Sequence, residues 1–181
     1  MNMQKVIDVA RKYVNLYEIK PNAQWTSKSN PSEAAKLSNH LVDLMESGGW
    51  EKGWPYCMAF VEAVYREALQ DDPKALALVA KLLTPSAMMT YKNCKPYLTK
   101  TPTPGGIFIM QKAQGGTGHA GIVVSSDGSK FSTIEGNTSP AATTAEQDRN
   151  GDGIYAKSRA LNFTVTDGLH LIGFVDLSKI V

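Results

Sequence analysis

Cysteine is scarce in this chain: Cys57 and Cys94 are the only two in 181 residues. Two thiols make no disulfide framework, and a reducing compartment of synthesis is the simpler expectation. Charge of one sign is scarce as well, with 19 Lys+Arg against 17 Asp+Glu and a net charge of +2. No basic cluster stands out that would track a phosphate backbone, so nucleic acid is not an expected partner. Long apolar runs are missing too. The longest, "ALALVA" from Ala75 to Ala80, is cut by Lys81 and is far too short to cross a bilayer, so no membrane insertion is expected. The start, "MNMQKVIDVARKY", has no continuous hydrophobic segment followed by a small-residue cleavage site, and synthesis in the cytoplasm without a signal peptide is expected. Internal repeats and low-complexity linkers are absent. One domain spanning residues 1–181, acting as a monomer and without a separate binding module, is therefore expected.

What is present divides by character. Helical spacing dominates the first half: Val6, Val9, Ala10, Tyr13 and Val14 form one stripe, and Leu37, Leu41, Leu44 and Met45 another, closed by Gly48 and Gly49. Between them "KPNAQWTSKSNP" reads as a polar loop. "DDPKALALVAKLL" and "TPSAMMTYKNC" read as two further short helices, each with a Pro suited to a helix start. After "TPTPGG" the chain turns to short runs rich in Ile, Val, Phe and Thr, and strands are expected at Ile107–Gln111, His119–Ser125, Lys130–Gly136, Ile154–Leu161 and Leu171–Val175. Helices first and strands later, without alternation, predict an α+β domain in which N-terminal helices pack on a C-terminal antiparallel sheet.

The stretch "GWPYCMAFVEAVYREAL" from Gly53 to Leu69 places one of the two cysteines at the mouth of a helix. Pro55 suits the first helical position, which puts Cys57 in the first turn, with Phe60, Val61, Val64 and Ala68 continuing its inward face. A buried free cysteine behaves as a small hydrophobe, so packing is one reading. The other is a nucleophile, because a helix N-terminus favours negative charge and lowers a thiol pKa. Trp54, in the expected cap position, is a poor cap, and the open amide of Cys57 could serve an oxyanion.

A cysteine nucleophile needs a base, and the chain offers only His40, His119 and His170. His40 sits mid-helix among polar neighbours, and His170 reads as a strand-end or surface residue. His119, in "GTGHAGIVV", is flanked by small residues that allow close approach. Alternation in "FSTIEGN" puts Phe131, Thr133, Glu135 and Asn137 on one face. A two-residue Asp127–Gly128 turn would turn Glu135 away from His119; a three-residue Ser126–Asp127–Gly128 loop would set His119 opposite Glu135, with Asn137 diagonal. A catalytic role thus demands an odd-length loop or a compensating bulge, whereas edge or turn roles for Glu135 and Asn137 demand neither.

"DRNGDG", Asp148 to Gly153, fits the opening of a calcium loop with Asp148, Asn150 and Asp152 at alternate positions. The twelfth position is Arg159 instead of the bidentate glutamate, and no exiting helix is expected. A calcium site and an Asx-rich turn feeding the next strand are the two readings.

Together these blocks resemble the CHAP family of cysteine, histidine-dependent amidohydrolases and peptidases, within the papain-like group. "WPYCMAFVEAVYREA" is similar to the family's cysteine helix, "PGGIFIM" to its first strand, "GHAGIVV" to its histidine strand and "IEGN" to the strand of its third residue, in the same order. A looser similarity joins "LYEIKPNAQWT" to a Glu and Asn loop of phage lysins. The resemblance implies Cys57 as nucleophile, His119 as general base and acid, and Glu135 with Asn137 orienting the imidazole. Trp54, Tyr56, Asn22 and Gln24 are expected at the substrate, the last three as candidates for a second oxyanion donor. It implies a papain-like fold, bacterial peptidoglycan as partner and substrate, and no required cofactor. The cut would fall in the stem or cross-bridge peptide or at the sugar–peptide amide, after release or delivery of the enzyme in a phage, prophage or toxin setting. Gly106 stands where many relatives carry Asp, and the wall-binding module many append is not seen. A catalytically silent wall-binding or virion protein, and an amidase acting on a small amide or protein conjugate, are the alternatives.

Overall fold

Among the described residues, four of the five α-helices begin at a side-chain cap. The computed structural model describes residues 1–113, 115–140 and 150–180. Helix α1 (Met3–Lys12) is capped by Asn2, α2 (Pro31–Ser47) by Asn30, α4 (Pro73–Leu82) by Asp72 and α5 (Ala87–Asn93) by Ser86, each side chain accepting from a first-turn N–H. Such caps stabilise a helix by about 1 kcal/mol. Helix α3 (Cys57–Ala68) has none: its cap residue is Tyr56, which makes no side-chain cap hydrogen bond. The helix thus starts two residues later than Pro55 suggests, with Cys57 as its first residue.

The expected single inward stripe of α3 is an underestimate. Eleven of its twelve residues are buried, because α1, α2 and α4 pack around it while its remaining side lies on the sheet. A helix apolar nearly all round belongs in a core. Its two buried acids are compensated. Glu62 accepts two hydrogen bonds from Arg66, and Glu67 accepts from Lys12 and the Tyr13 hydroxyl.

Among the described residues, eight strands form one antiparallel sheet. They are β1 (Tyr17–Lys20), β2 (Gln24–Thr26), β3 (Leu98–Thr99), β4 (Ile107–Lys112), β5 (Gly118–Ser126), β6 (Lys130–Thr138), β7 (Gly153–Ala160) and β8 (Leu169–Val175), in the order β2-β1-β7-β6-β5-β4-β8-β3. The α+β class and the layering of helices against an antiparallel sheet are as the sequence predicts. Two short additions differ. The stretch expected as a polar loop contributes β2 and its pairing with β1, since Trp25, 1% exposed, is driven into the core and takes its strand with it. β3 is a two-residue edge against β8. His170, expected at a strand end or on the surface, is the second residue of β8 and is buried.

The β5–β6 hairpin answers the parity question by a route other than the three-residue loop. Ser126 pairs with Phe131, leaving four residues in the turn. The Asp127 carboxylate gathers the N–H groups of Ser129 and Lys130 there. Between Ser125↔Ser132 and Val123↔Thr133 the register shifts, so Val124 is an extra residue, a bulge. Beyond the Ile122↔Ile134 pair, a Cβ on Gly121 would lie 2.8 Å from Glu135 Cγ, and the His119 and Glu135 side chains meet on one face.

Candidate active site

Cys57 is the first residue of α3, so its N–H and that of Met58 have no partners within the helix. The chain leading into it is braced from below. Trp25 Nε1 donates to the Tyr56 hydroxyl and Trp50 Nε1 to the Trp54 carbonyl, both at 3.0 Å. Both tryptophans are 1% exposed and their rings pack together. This fixes the entry into α3 without a cap side chain that would occupy its amides.

His119 and Glu135 lie on the sheet face that also carries Phe108, Phe131 and Phe174, opposite the aliphatic face of Ile107, Ala120, Ile122 and Ile134. Both are fully buried, and His119 Nε2 is 2.8 Å from Glu135 Oε2. Gly121 makes this possible: a Cβ there would lie 2.6 Å from Phe108 Cε1 and 2.8 Å from Glu135 Cγ. The other ring nitrogen, Nδ1, makes no conventional hydrogen bond. The Cys57 thiol interacts with this ring and with the N–H groups of Ala120 and Met58. Catalytic hydrogen bonds are often long before substrate arrives.

The ionisations are strongly coupled. Burial of Cys57 opposes a thiolate, yet His119 and the two amides hold its pKa below the ordinary thiol value. Burial opposes a charged His119, yet Cys57 and Glu135 outweigh it and raise the imidazole to about 9. Glu135 is brought down to about 2 against its own burial, first by the charge and hydrogen bonds of Arg159 and then by His119. The arrangement favours a thiolate beside an imidazolium, with an ionised carboxylate behind them, the constellation that generates a nucleophile and a general acid together.

Arg159 is the residue that sequence reasoning missed. Its Nε donates to Glu135 Oε1 at 2.7 Å and its Nη2 to Oε2 at 2.5 Å. The signal that could have found it is a demand for charge: a carboxylate in the apolar run "FSTIEGN" needs a cation to be buried.

Cys57 opens on a cavity of about 300 Å³ walled by Trp54, Pro55, Pro85, Ser86, Ala87 and Gly118, among others. Trp54 is 46% exposed beside it. The other residues expected at the substrate fall elsewhere. Tyr56 is fully buried, its hydroxyl held by Trp25 and facing Glu18, so it cannot touch a ligand. Asn22 bridges to the Gly53 carbonyl and lines a separate cavity with Glu18 and Asp152, and Gln24 is exposed on β2 outside the Cys57 cavity. Asn137, expected beside Glu135 as a second orienter, is fully buried with a left-handed backbone (φ 57°). Its carbonyl accepts from Gly151. The imidazole nitrogen that either residue could have taken is taken by Glu135.

Of the calcium residues, Asp148 lies outside the described residues. Asn150 and Asp152 line the cavity shared with Glu18 and Asn22, where Tyr155 donates to Asp152. Among the described residues no group of three or more His, Cys, Asp or Glu could hold a metal ion, and no helix is long and apolar enough to cross a membrane.

No curated protein matches the sequence. The family model described as CHAP domain matches residues 47–137, a segment that begins before α3 and ends at Asn137. It takes in Cys57, His119 and Glu135, the three groups whose ionisations are coupled. On that match, and with this geometry inside it, the chain belongs to the CHAP family of cysteine, histidine-dependent amidohydrolases and peptidases.

Proposed function

We propose that the protein is a peptidoglycan hydrolase that cleaves an amide bond through a thioester on Cys57. The observation that carries the reading is the coupling of Cys57, His119 and Glu135 at an uncapped helix start beside an open cavity. The sulfur attacks the amide carbon, and the carbonyl electrons move onto oxygen, where the Cys57 N–H donates to the oxyanion. His119 Nδ1 gives its proton to the leaving amine as the C–N bond breaks. It then takes a proton from water, which attacks the thioester and returns the sulfur. Glu135 keeps the proton of Nε2 in place throughout.

Trp54 stands exposed at the cavity rim, where an aromatic face suits the apolar side of a sugar or a peptide. Peptidoglycan offers both around its amide bonds, and it is the substrate class that the family most commonly meets. The enzyme acts as a monomer without a required cofactor, and reaches the wall by release or delivery after synthesis in the cytoplasm. Calcium is a separate proposal. Asn150, Asp152, Glu18 and Asn22 present oxygen donors suited to a hard cation, and Glu18 Oε1 and Asn22 Oδ1 are buried without hydrogen bonds. Such an ion would brace the β1–β7 junction; calorimetry with calcium and then chelator, with no heat and no change in melting, would dismiss it.

The test of the function is to incubate purified walls with the protein and with Cys57→Ala, and to identify new amino termini by mass spectrometry. Release that requires Cys57 supports the reading and identifies the bond. Clearing that survives the substitution defeats the nucleophile. Intact walls from many species, with turnover of a small amide, would favour an amidase of another class.

A further inference from the structure

The Glu135 carboxylate has two oxygens and about four lone-pair sites, and all four are engaged. Oε1 accepts from Arg159 Nε and from the Thr133 hydroxyl; Oε2 accepts from Arg159 Nη2 and lies 2.8 Å from His119 Nε2. The terminal torsion of a glutamate is intrinsically broad. A guanidinium fork bonding one oxygen with each prong is what restricts it to a single plane.

The fork is itself held. On β7 Arg159 sits opposite Phe131 and reaches diagonally to Glu135, which is paired with Tyr155. Its side chain is 11% exposed and its guanidinium lies 5.3 Å over the ring of Phe108. That same ring packs on His119 at 5.9 Å. One aromatic ring thus sets the spacing between cation and imidazole, with the carboxylate bridging the two. Other titratable groups on this face of β7 point away: Lys157 donates to Thr138 and Ser139, and Tyr155 to Asp152. Cys57 lies beyond His119, and Thr133 of β6 is uncharged. Arg159 is therefore the cation directly on Glu135 apart from His119, and it lies outside the segment that matches the family model.

We propose that Arg159 is the positioning residue of this site: its fork fixes the plane of the Glu135 carboxylate so that the remaining lone pair of Oε2 meets His119 Nε2. This rests on the assignment of Glu135 as the partner of His119 in the reaction. Arg159 touches neither substrate nor sulfur. It keeps Glu135 ionised and immobile, so that Glu135 accepts the Nε2 hydrogen bond through the whole cycle without taking the proton. A lysine carries the same charge as a point, without the planar fork.

The experiment compares the native chain with Arg159→Lys and Arg159→Gln. The Glu135 carboxyl carbon is followed by NMR through a pH titration, and kcat and KM on solubilised peptidoglycan are measured across pH. In the native protein the carboxyl is expected to titrate well below its ordinary 4.5, at about 2. In Arg159→Gln it titrates higher, kcat falls by on the order of 100-fold, and a further acid limb appears in kcat where Glu135 takes its proton. KM holds, because Arg159 does not line the Cys57 cavity. Arg159→Lys returns much of the titration but little of the rate. A folded Arg159→Gln protein whose Glu135 still titrates at about 2, or whose kcat falls equally at every pH, overturns the proposal. Should Arg159→Gln not fold, the native titration decides, since a carboxyl titrating at or above its ordinary 4.5 also overturns it. The carboxyl titration needs no turnover, so it can succeed where the wall assay with Cys57→Ala fails, and the reverse.

Discussion

At the scale of single residues the two cysteines differ by environment alone. Both are buried, but Cys57 has an imidazole and two amides at its sulfur, while burial without such partners pushes the Cys94 thiol up to about 12. Brief treatment with iodoacetamide near neutral pH is expected to alkylate Cys57 and spare Cys94, read by peptide mass spectrometry. The rate against pH should rise where Cys57 loses its proton, below the ordinary 9.0 of a thiol. It should fall as His119 loses its own near 9, because the imidazolium is the acid that protonates the leaving amine. A profile that keeps climbing past that point would contradict the assignment. Cys57, His119 and Glu135 could be named from sequence because each sits beside a local signal: a helix start, a run of small residues, an alternating strand. Arg159 had no local signal. It fills the glutamate position of a calcium loop and belongs to the site only through strand pairing with β6. Tyr56 misled for a related reason, since adjacency to the nucleophile along the chain does not fix which way a side chain points at a helix entry.

At the scale of elements, the site depends on how closely β5 and β6 approach. Gly121→Ala would bring a methyl group against Phe108 and Glu135; overpacking of this kind costs about 1–3 kcal/mol. Its urea midpoint is expected to fall and its kcat to fall further than stability alone explains, since the displaced atom is Cγ of the carboxylate side chain. Element types and most strand limits follow from periodicity, and β4 to β8 stand within about two residues of their expected limits. The Val124 bulge was beyond reach, although it decides which side chains meet. One extra residue changes pairing across the whole hairpin while leaving the apolar pattern of either strand intact, so the requirement could be stated but not its solution. The β1–β2 hairpin was hidden by its polar composition, where one buried Trp25 outweighs its neighbours.

At the scale of the molecule, the charges of the site feed back on stability. Glu135 has its folded pKa lowered from 4.5 to about 2. Its contribution is present above 4.5 and is lost as the pH falls through 2. His119 is raised from 6.5 to about 9, so its contribution is full below 6.5 and is lost as the pH rises through 9. Glu18 and Glu62 are shifted upward by burial, so they oppose folding as the pH rises above the ordinary 4.5 and add no slope between 4.5 and 2. Melting temperature is therefore expected to drop on acidification from pH 4.5 toward 2, and again in the alkaline range. A Tm unchanged between pH 4.5 and 2 would mean that Glu135 is not held ionised in the fold.

The tryptophan brace carries an optical consequence. The chain has three indoles; two are sealed in the core and the third stands at the mouth of the cavity. A solvated indole emits to the red of a sealed one, so the long-wavelength emission of Trp54 is a label-free gauge of whether the cavity is occupied. The blue-shifted emission of Trp25 and Trp50 reports separately on whether the floor beneath it is still intact.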